Sequence, residues 1–444
     1  MSRLTPERRV VAKVLEGHER RPGRVDRSLR KGLAGLERRD VARAWSLAYT
    51  LLRNQTLLQR TVEPLLRKPF RAQERGARIA LLLGACEILL MESVPDRAAV
   101  DQAVEVARLL GASRSCGFVN ATLRRLARDR PEPVTPPRSE DPVGWAEVAR
   151  SHPRWILDRM ATLVGDEEAA DWADVANSEP PLVLRARSDD AGDVGSAGLV
   201  PGAIRVERPE GGVRGIPGWS EGRFWVQDEG AQAAGLLLDA GPGMRVLDAC
   251  AAPGGKTFLL ADAVGDGGSV DAVDRDGARL QDLAGARKRL GFAGVRITKR
   301  HWVQEPFGAL EDDAPYDAVL VDAPCSGLGV VRRHPDIRWA RVERDLPGYA
   351  ARQLKLLDAL ADAVKPGGAL VYAVCTFAPE ETHEVVNAFL RSKAGSDFRS
   401  VPASDTLRGL PPTAFDGDFL RMYPHRHDAD AFFAARLVRD SKES

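Results

Sequence analysis

The chain has 444 residues, 44% of them apolar and 29% charged, with a formal net charge of +1. At roughly 100–200 residues per domain this makes two or three domains, and the composition excludes a wholly disordered chain. The small net charge conceals a split, because residues 1–130 carry 27 Lys and Arg against 14 Asp and Glu, while the remainder carries 37 against 49. A basic end suited to a polyanion is joined to a mildly acidic body. Five cysteines (Cys86, Cys116, Cys250, Cys325 and Cys375) are widely spaced, with no CxxC pair. Such spacing argues against a disulfide framework and a zinc ribbon, and it predicts reduced thiols, no metal centre and a cytoplasmic location. The opening MSRLTPERRV lacks an apolar signal region. No stretch reaches the roughly 18 apolar residues of a membrane span. The longest candidate, Ile79 to Met91, carries Glu87.

From Pro6 to about Arg128, apolar residues recur three and four apart in five runs separated by short polar or Gly/Pro breaks. That spacing predicts an all-α domain of about five to seven helices over residues 1–130. Pro131 to Pro142 holds five prolines in twelve residues and reads as a linker over 131–143. Residues 144–225 mix a helical start at Trp155–Leu163 with β-like runs at Leu182–Arg185 and Ile204–Val206, the pattern of a small α+β connector. Over 226–440 the pattern becomes βαβ. Apolar runs at Arg245–Asp248, Ser269–Val273, Ala318–Val321 and Ala369–Val374 each lead into a Gly/Pro turn and then a helical segment. This predicts an α/β domain with a doubly wound parallel sheet, whose ligands bind beyond the carboxyl ends of the strands.

The first of these strands runs into VLDACAAPGGKT, Val246 to Thr257. Pro253, Gly254 and Gly255 allow a tight turn, and the amides of the following helix start can face an anionic group. Gly255–Thr257 looks like the end of a P-loop, but that motif needs a glycine where Cys250 stands. The dinucleotide fingerprint GxGxxG is also absent. A turn fitted to a carboxylate suits the methionine part of S-adenosylmethionine. Asp274 ends the second strand, where an acid can accept from both ribose hydroxyls. The plainer alternative is that Asp274 caps the next helix.

The third of these strands ends in DAPCSG, Asp322 to Gly327, and the fourth ends at Cys375 and Thr376. One cysteine at a strand end is more often core than catalytic. Two of them beside a prospective cofactor turn, with an acid, point to chemistry. Carbon 5 of a pyrimidine is a poor nucleophile, and a thiolate adding to carbon 6 makes carbon 5 enolate-like and able to attack a methyl group. A carboxyl bonded to N3 and the exocyclic amine stabilises the charge that develops. Lys256 offers the nearby positive charge.

At this point the residues resemble the bacterial RsmB (Sun/Fmu) ribosomal RNA cytosine carbon-5 methyltransferases, within the NOL/NOP/Sun group. CAAPGGKT (Cys250–Thr257), DAPCSGLGVVRRHPDIRW (Asp322–Trp339) and VCTFAPEE (Val374–Glu381) are similar to that group's motifs I, IV and VI. VPDRAAVDQAVEVARLLG (Val94–Gly111) and FVNATLRRL (Phe118–Leu126) resemble the NusB-type RNA-binding domain of the RsmB branch, and VQDEGAQ (Val226–Gln232) resembles the family's lead into motif I. The resemblance implies an all-α NusB-like domain, the connector, and a Rossmann-like S-adenosylmethionine-dependent methyltransferase domain. It implies Cys375 as nucleophile, Cys325 assisting breakdown of the covalent adduct, Asp322 contacting the cytosine, and Lys256 supporting the site. It further implies that Cys250, Ala251, Ala252, Pro253, Gly254, Gly255, Lys256, Asp274 and Asp322 line the cofactor pocket. DNA cytosine methyltransferases use the cysteine of their Pro-Cys motif, so the sequence leaves a choice of thiol. Thr376 and the RNA-type motif IV favour Cys375.

Some residues depart from the family pattern. The stretch ITKRHWVQEP, Ile297 to Pro306, has no acid before Glu305, so no adenine-contacting acid is assigned. The usual Asn after PEE is Thr382, and the late Asp-Gly-Phe-Phe reads DAFF, Asp430 to Phe433. Arg332, Arg333 and His334 sit just after the catalytic loop, where they can grip phosphates flanking a target base, or equally pair with surface acids. The expected partner is RNA, ribosomal before transfer RNA, and the chain is expected to be a monomer without membrane or metal partners. A non-catalytic RNA-binding assembly factor is the alternative of another class.

Overall fold

Helical periodicity between Pro6 and Asp129 becomes seven α-helices in the computed structural model: α1 (Pro6–Arg20), α2 (Val25–Gly32), α3 (Arg38–Arg53), α4 (Gln55–Val62), α5 (Arg75–Leu90), α6 (Asp96–Leu109) and α7 (Cys116–Asp129). The structure describes residues 4–187, 194–209, 212–309 and 314–441. Helix α5 is apolar on nearly every face, and such a helix has no side to offer water. It accordingly lies at the centre, with α1, α3, α4, α6 and α7 packed around it. Glu87, the acid in its interior, accepts from Arg8 Nε at 2.8 Å. Burial raises its carboxyl above the ordinary range, and Arg8 works against that. No helix among the described residues is long and apolar enough to cross a membrane.

Three more helices, α8 (Pro142–Ala149), α9 (Arg154–Val164) and α10 (Asp166–Asn177), pack on one another, and α8 packs on α4. They belong to the first of two compact units, which consists of Met1–Ser178 and Arg333–Glu343. The residues expected to form a single connector therefore divide. The apolar face of α10 (Ala169, Ala170, Trp172, Ala173 and Ala176) is buried with its fellow helices, whereas the strands that follow pair edge to edge in the second unit.

The segment Arg333–Glu343 is a core element of the first unit. Asp336 Oδ2 accepts the Val25 amide at 3.2 Å, and Trp339 Nε1 donates to the Leu52 carbonyl at 2.8 Å. Arg338 is fully buried and donates to the carbonyls of Arg150, Ser151 and Ala176 and to Asn177 Oδ1, at 3.0–3.3 Å. Those carbonyls lie at the C-terminal ends of α8 and α10, where unpaired acceptors and negative helix-dipole ends collect.

The second unit, Glu179–Arg332 with Arg344–Ser444, carries two sheets among its described residues. The smaller is antiparallel, in the order β2-β3-β1-β4, from β1 (Leu182–Ala186), β2 (Ser196–Ala197), β3 (Ala203–Val206) and β4 (Phe224–Val226). The larger contains the parallel strands β5 (Arg245–Asp248), β6 (Ser269–Asp274), β7 (Val295–Lys299), β8 (Tyr316–Asp322) and β9 (Val364–Val374). Antiparallel strands β10 (Phe398–Val401), β11 (Phe415–Asp416), β12 (Phe419–Met422) and β13 (Phe432–Arg439) extend it beyond β9, giving β11-β12-β13-β9-β8-β5-β6-β7 with β10 beside β13. Helices α11 (Glu229–Leu236), α12 (Gly255–Val264) and α13 (Gly277–Leu290) belong to this unit.

Alternate residues of the parallel strands enter two separate cores. Val246, Val270, Ala318, Leu320 and Val371 lie in one, and Leu247, Val319, Val321, Leu370 and Tyr372 in the other. Both faces are thus covered, as a parallel sheet requires. The chain runs outward from β5 through β6 to β7, then returns to β8 on the other side of β5. That reversal opens a crevice at the carboxyl ends of β5 and β8, the usual ligand position in a doubly wound sheet.

Candidate active site

At the end of β5, Asp248 is buried and accepts the Thr257 hydroxyl at 2.7 Å. Burial pushes its carboxyl up to about 7, against the pull of Thr257, with the Asp322 charge adding to the rise. An acid whose folded pKa lies above its unfolded value binds more protons in the folded state between the two, so stability falls as pH rises through that window. Asp248→Asn should remove this contribution, at most about 1.4 kcal/mol per pH unit between roughly pH 4 and 7. Thermal melts at pH 5, 6, 7 and 8 should show a shallower loss of stability for the variant, and an unchanged slope would contradict the assignment.

Beyond Asp248 the chain turns through Gly254, whose φ of +113° belongs to the left-handed region, into α12. Among the described residues no side chain caps that helix, so its first amides can face a ligand. Gln227 stands beside them. Its Oε1 accepts from Trp225 Nε1 at 2.8 Å, and its Nε2 is buried without a hydrogen-bond partner among the described residues. A Cβ added to Gly255 would lie 3.6 Å from that Nε2. A helix N-terminus and an orphaned donor therefore meet at one place, a setting for a carboxylate.

Asp274, at the end of β6, accepts the Ala252 amide through Oδ2 at 3.1 Å and the Asp276 amide through Oδ1 at 2.8 Å. The cap of α13 is Asp276, which accepts from the amides of Ala278 and Arg279. Asp274 instead ties the turn after β5 to the end of β6. Cys250, Ala251, Ala252 and Pro253 form that turn, and burial raises the Cys250 thiol well above its ordinary value. In the stretch without an acid, Trp302 is buried and its indole donates to the Ala249 carbonyl at 2.9 Å.

The thiols lie one strand over. Cys325 Sγ and Cys375 Sγ are 3.3 Å apart, each half-buried, in the turns that follow β8 and β9. The hydrogen bond with Cys375 and burial together raise the Cys325 thiol well above its ordinary value. Either sulfur can be the donor of the pair. Asp322 Oδ2 accepts from Lys256 Nζ at 2.9 Å, and Lys256 also lies over the Phe432 ring, 4.7 Å from its centroid. Burial by itself would depress the Lys256 ammonium, but the charge and hydrogen bond of Asp322 outweigh it and hold the pKa above its ordinary value. Gly329 passes so close to the Ala431 and Cys375 carbonyls that a Cβ would collide with both. Its amide donates to Cys375 O at 3.0 Å, and its carbonyl accepts from Ala431 N at 3.0 Å.

The three basic residues after the catalytic loop part company. Arg332 is buried in the second unit, where Nη1 pairs with Asp428 at 2.7 Å and Nη2 donates to the Glu179 carbonyl at 2.9 Å. A phosphate at Arg332 would have to displace Asp428. Arg333 and His334 belong to the first unit. The His334 ring lies 3.0 Å from Arg24 Nη2, and burial together with that cation lowers the imidazole to about 4. Sequence reading missed Gln227 and Glu381 as site residues, although both stand inside motifs it quoted, VQDEGAQ and VCTFAPEE.

Comparison with known proteins gives the chain's family. Residues 235–438 match the model of the 16S rRNA methyltransferase RsmB/F family, and residues 5–128 match the NusB family. The ribosomal RNA small subunit methyltransferase B of Pseudomonas putida is 35% identical, over 97% of each chain. The protein of the same name from Salmonella newport is 32% identical, over 90% of this chain and 91% of its own. The chain belongs to the RsmB/F family. Among solved structures, that of PH0851 superimposes with a TM-score of 0.74 at 24% identity, covering 98% of this chain and 99% of its own. NSun6 from Pyrococcus horikoshii with SFG gives 0.52 at 19% identity, over 66% of this chain and 99% of its own. Both likenesses concern the fold.

As an RsmB/F methyltransferase the chain takes its methyl group from S-adenosylmethionine. The residues present fit that donor. The free α12 amides and the orphaned Gln227 Nε2 suit its carboxylate, and Asp274 is a strand-end acid suited to ribose hydroxyls.

Proposed function

We propose that the chain methylates carbon 5 of a cytosine in small-subunit ribosomal RNA, in the cytoplasm, through a covalent bond between Cys375 and carbon 6. The observation that carries this reading is the meeting of two thiols, 3.3 Å apart, in the same crevice as the Lys256–Asp322 pair, 2.9 Å apart. A single buried thiol would serve packing. Two partly exposed ones beside a fixed carboxylate serve addition and elimination.

The α12 amides and Gln227 would hold the donor's carboxylate, Asp274 its ribose, and the Cys250–Gly255 turn its methionine chain. When bound, the donor supplies an electrophilic methyl group on a sulfonium. The Cys375 thiolate adds to carbon 6 of the target base, forming an S–C6 bond and moving the C5=C6 electron pair onto carbon 5. Asp322, with Oδ2 held by Lys256, accepts through its other oxygen from the exocyclic amine and from N3–H, N3 taking a proton from water as the thiolate adds and returning it on elimination, so that the charge addition creates is neutralised. Carbon 5 takes the methyl group and then loses its proton to water. The C5–H pair restores the C5=C6 bond as the S–C6 pair returns to Cys375. Cys325, still protonated, donates its S–H to the departing sulfur and eases the release.

The net-positive helical unit would contact RNA phosphates without reading sequence, and its binding would weaken with salt. Incubation with donor labelled in the methyl group and small-subunit RNA from cells lacking this protein should place label in 5-methylcytosine. Label in another base, or none with donor bound, would contradict the proposal.

A further inference from the structure

The two thiols sit on separate turns, one after β8 and one after β9, and nothing covalent fixes their separation. One buried acid spans both turns. Glu381 is fully buried. Its Oε2 accepts the Ser326 amide at 2.9 Å and Gln353 Nε2 at 3.0 Å, while its Oε1 accepts the Thr376 hydroxyl at 3.4 Å. Gln353 Nε2 also donates to the Pro324 carbonyl at 3.1 Å, and the Ser326 and Thr376 hydroxyls lie 3.0 Å apart. Glu381 is itself held, because Tyr372 Oη donates to its carbonyl at 2.7 Å.

Ser326, after Cys325, and Thr376, after Cys375, are therefore tied to one carboxylate directly, and Pro324, before Cys325, is tied to it through Gln353. Burying that carboxylate is costly, since burial raises it above the ordinary range even with Ser326, Gln353 and Thr376 donating to it. An apolar residue of similar size would pack there without that cost. The acid gives what packing cannot, namely directed bonds to two turns at once.

We infer that Glu381, with Gln353, is a positioning residue that holds the Cys325 S–H within reach of the Cys375 sulfur. The inference rests on the proposed roles of the two thiols. Loosening the brace should affect release before it affects addition, because addition needs Cys375 alone, whereas release needs both sulfurs in register.

The test uses the full chain with both cysteines, unmethylated small-subunit RNA and S-adenosylmethionine. Glu381→Ala should lower kcat on the order of ten- to a hundredfold, the scale expected of a displaced reacting group. KM for the donor should stay nearly unchanged, and a covalent RNA–protein band should build up on a denaturing gel. Glu381→Gln retains an amide oxygen for the Ser326 N–H and should recover most of the turnover and lose the band. A residue that merely supports the fold would lower active protein without accumulating adduct. Should Glu381→Ala fail to fold, Thr376→Val carries the test, because it removes the Thr376 hydroxyl at nearly constant volume and should also accumulate adduct. Cys325→Ala runs beside them. Adduct with Cys325→Ala but none with a folded brace variant overturns the brace alone. Adduct with neither overturns the release role of Cys325, and the brace with it.

Discussion

Cys375→Ala should reduce methyl transfer to RNA on the order of 10⁴–10⁶-fold, the loss typical of removing a covalent nucleophile, while donor binding stays intact. Alanine leaves Val374 in its strand and Thr376 in its hydrogen bonds, so the turn after β9 is kept and only the attacking sulfur is lost. Without that sulfur, carbon 5 has no enolate character and the donor's methyl group has no partner. The loss should therefore fall on kcat, and no covalent RNA–protein complex should form. Turnover with labelled donor, alongside donor binding measured by calorimetry, checks both halves. A variant with more than a tenth of the wild-type rate would mean that Cys375 is not the nucleophile.

Cys325→Ala should give the opposite signature. Addition proceeds, the methyl group is transferred, and the complex fails to come apart. The S–H of Cys325 is placed 3.3 Å from the sulfur that must leave, and losing a hydrogen bond to a developing charge costs on the order of 10²–10³-fold in rate. Turnover should fall by about that factor, and the RNA-bound protein should persist through denaturation. The double variant Cys325→Ala/Cys375→Ala should form no such complex. A Cys325→Ala protein that turns over normally would remove the second thiol from the mechanism.

The chain announced its site in short, dense motifs. Strand ends carried the acids and thiols, and their adjacency followed from the βαβ pattern, because parallel strands in sequence deliver their carboxyl ends to one edge. Asp322, Cys325 and Cys375 meet there for that reason. Three features were less legible. The C-terminal antiparallel strands read poorly because FFAARLVR, Phe432 to Arg439, is a nearly continuous apolar run, which periodicity cannot separate from a buried helix. The inward placement of Arg332 depends on Asp428, 96 residues away, a distance that local pattern does not reach. Nothing local separates Glu381 from its neighbour Glu380 in PEE. Its burial arises only when Ser326, Gln353 and Thr376 converge on it from other elements.

The most direct test of covalent attack by Cys375 is to trap the bond. RNA containing 5-fluorocytosine keeps fluorine where the C5 proton must leave, so elimination stops after methyl transfer. The trapped complex can be digested with protease and nuclease and the modified peptide sequenced by mass spectrometry. The mass of methylated fluorocytidine should sit on Cys375. Its appearance on Cys325, or the absence of any linked peptide while the donor is consumed, would contradict the mechanism.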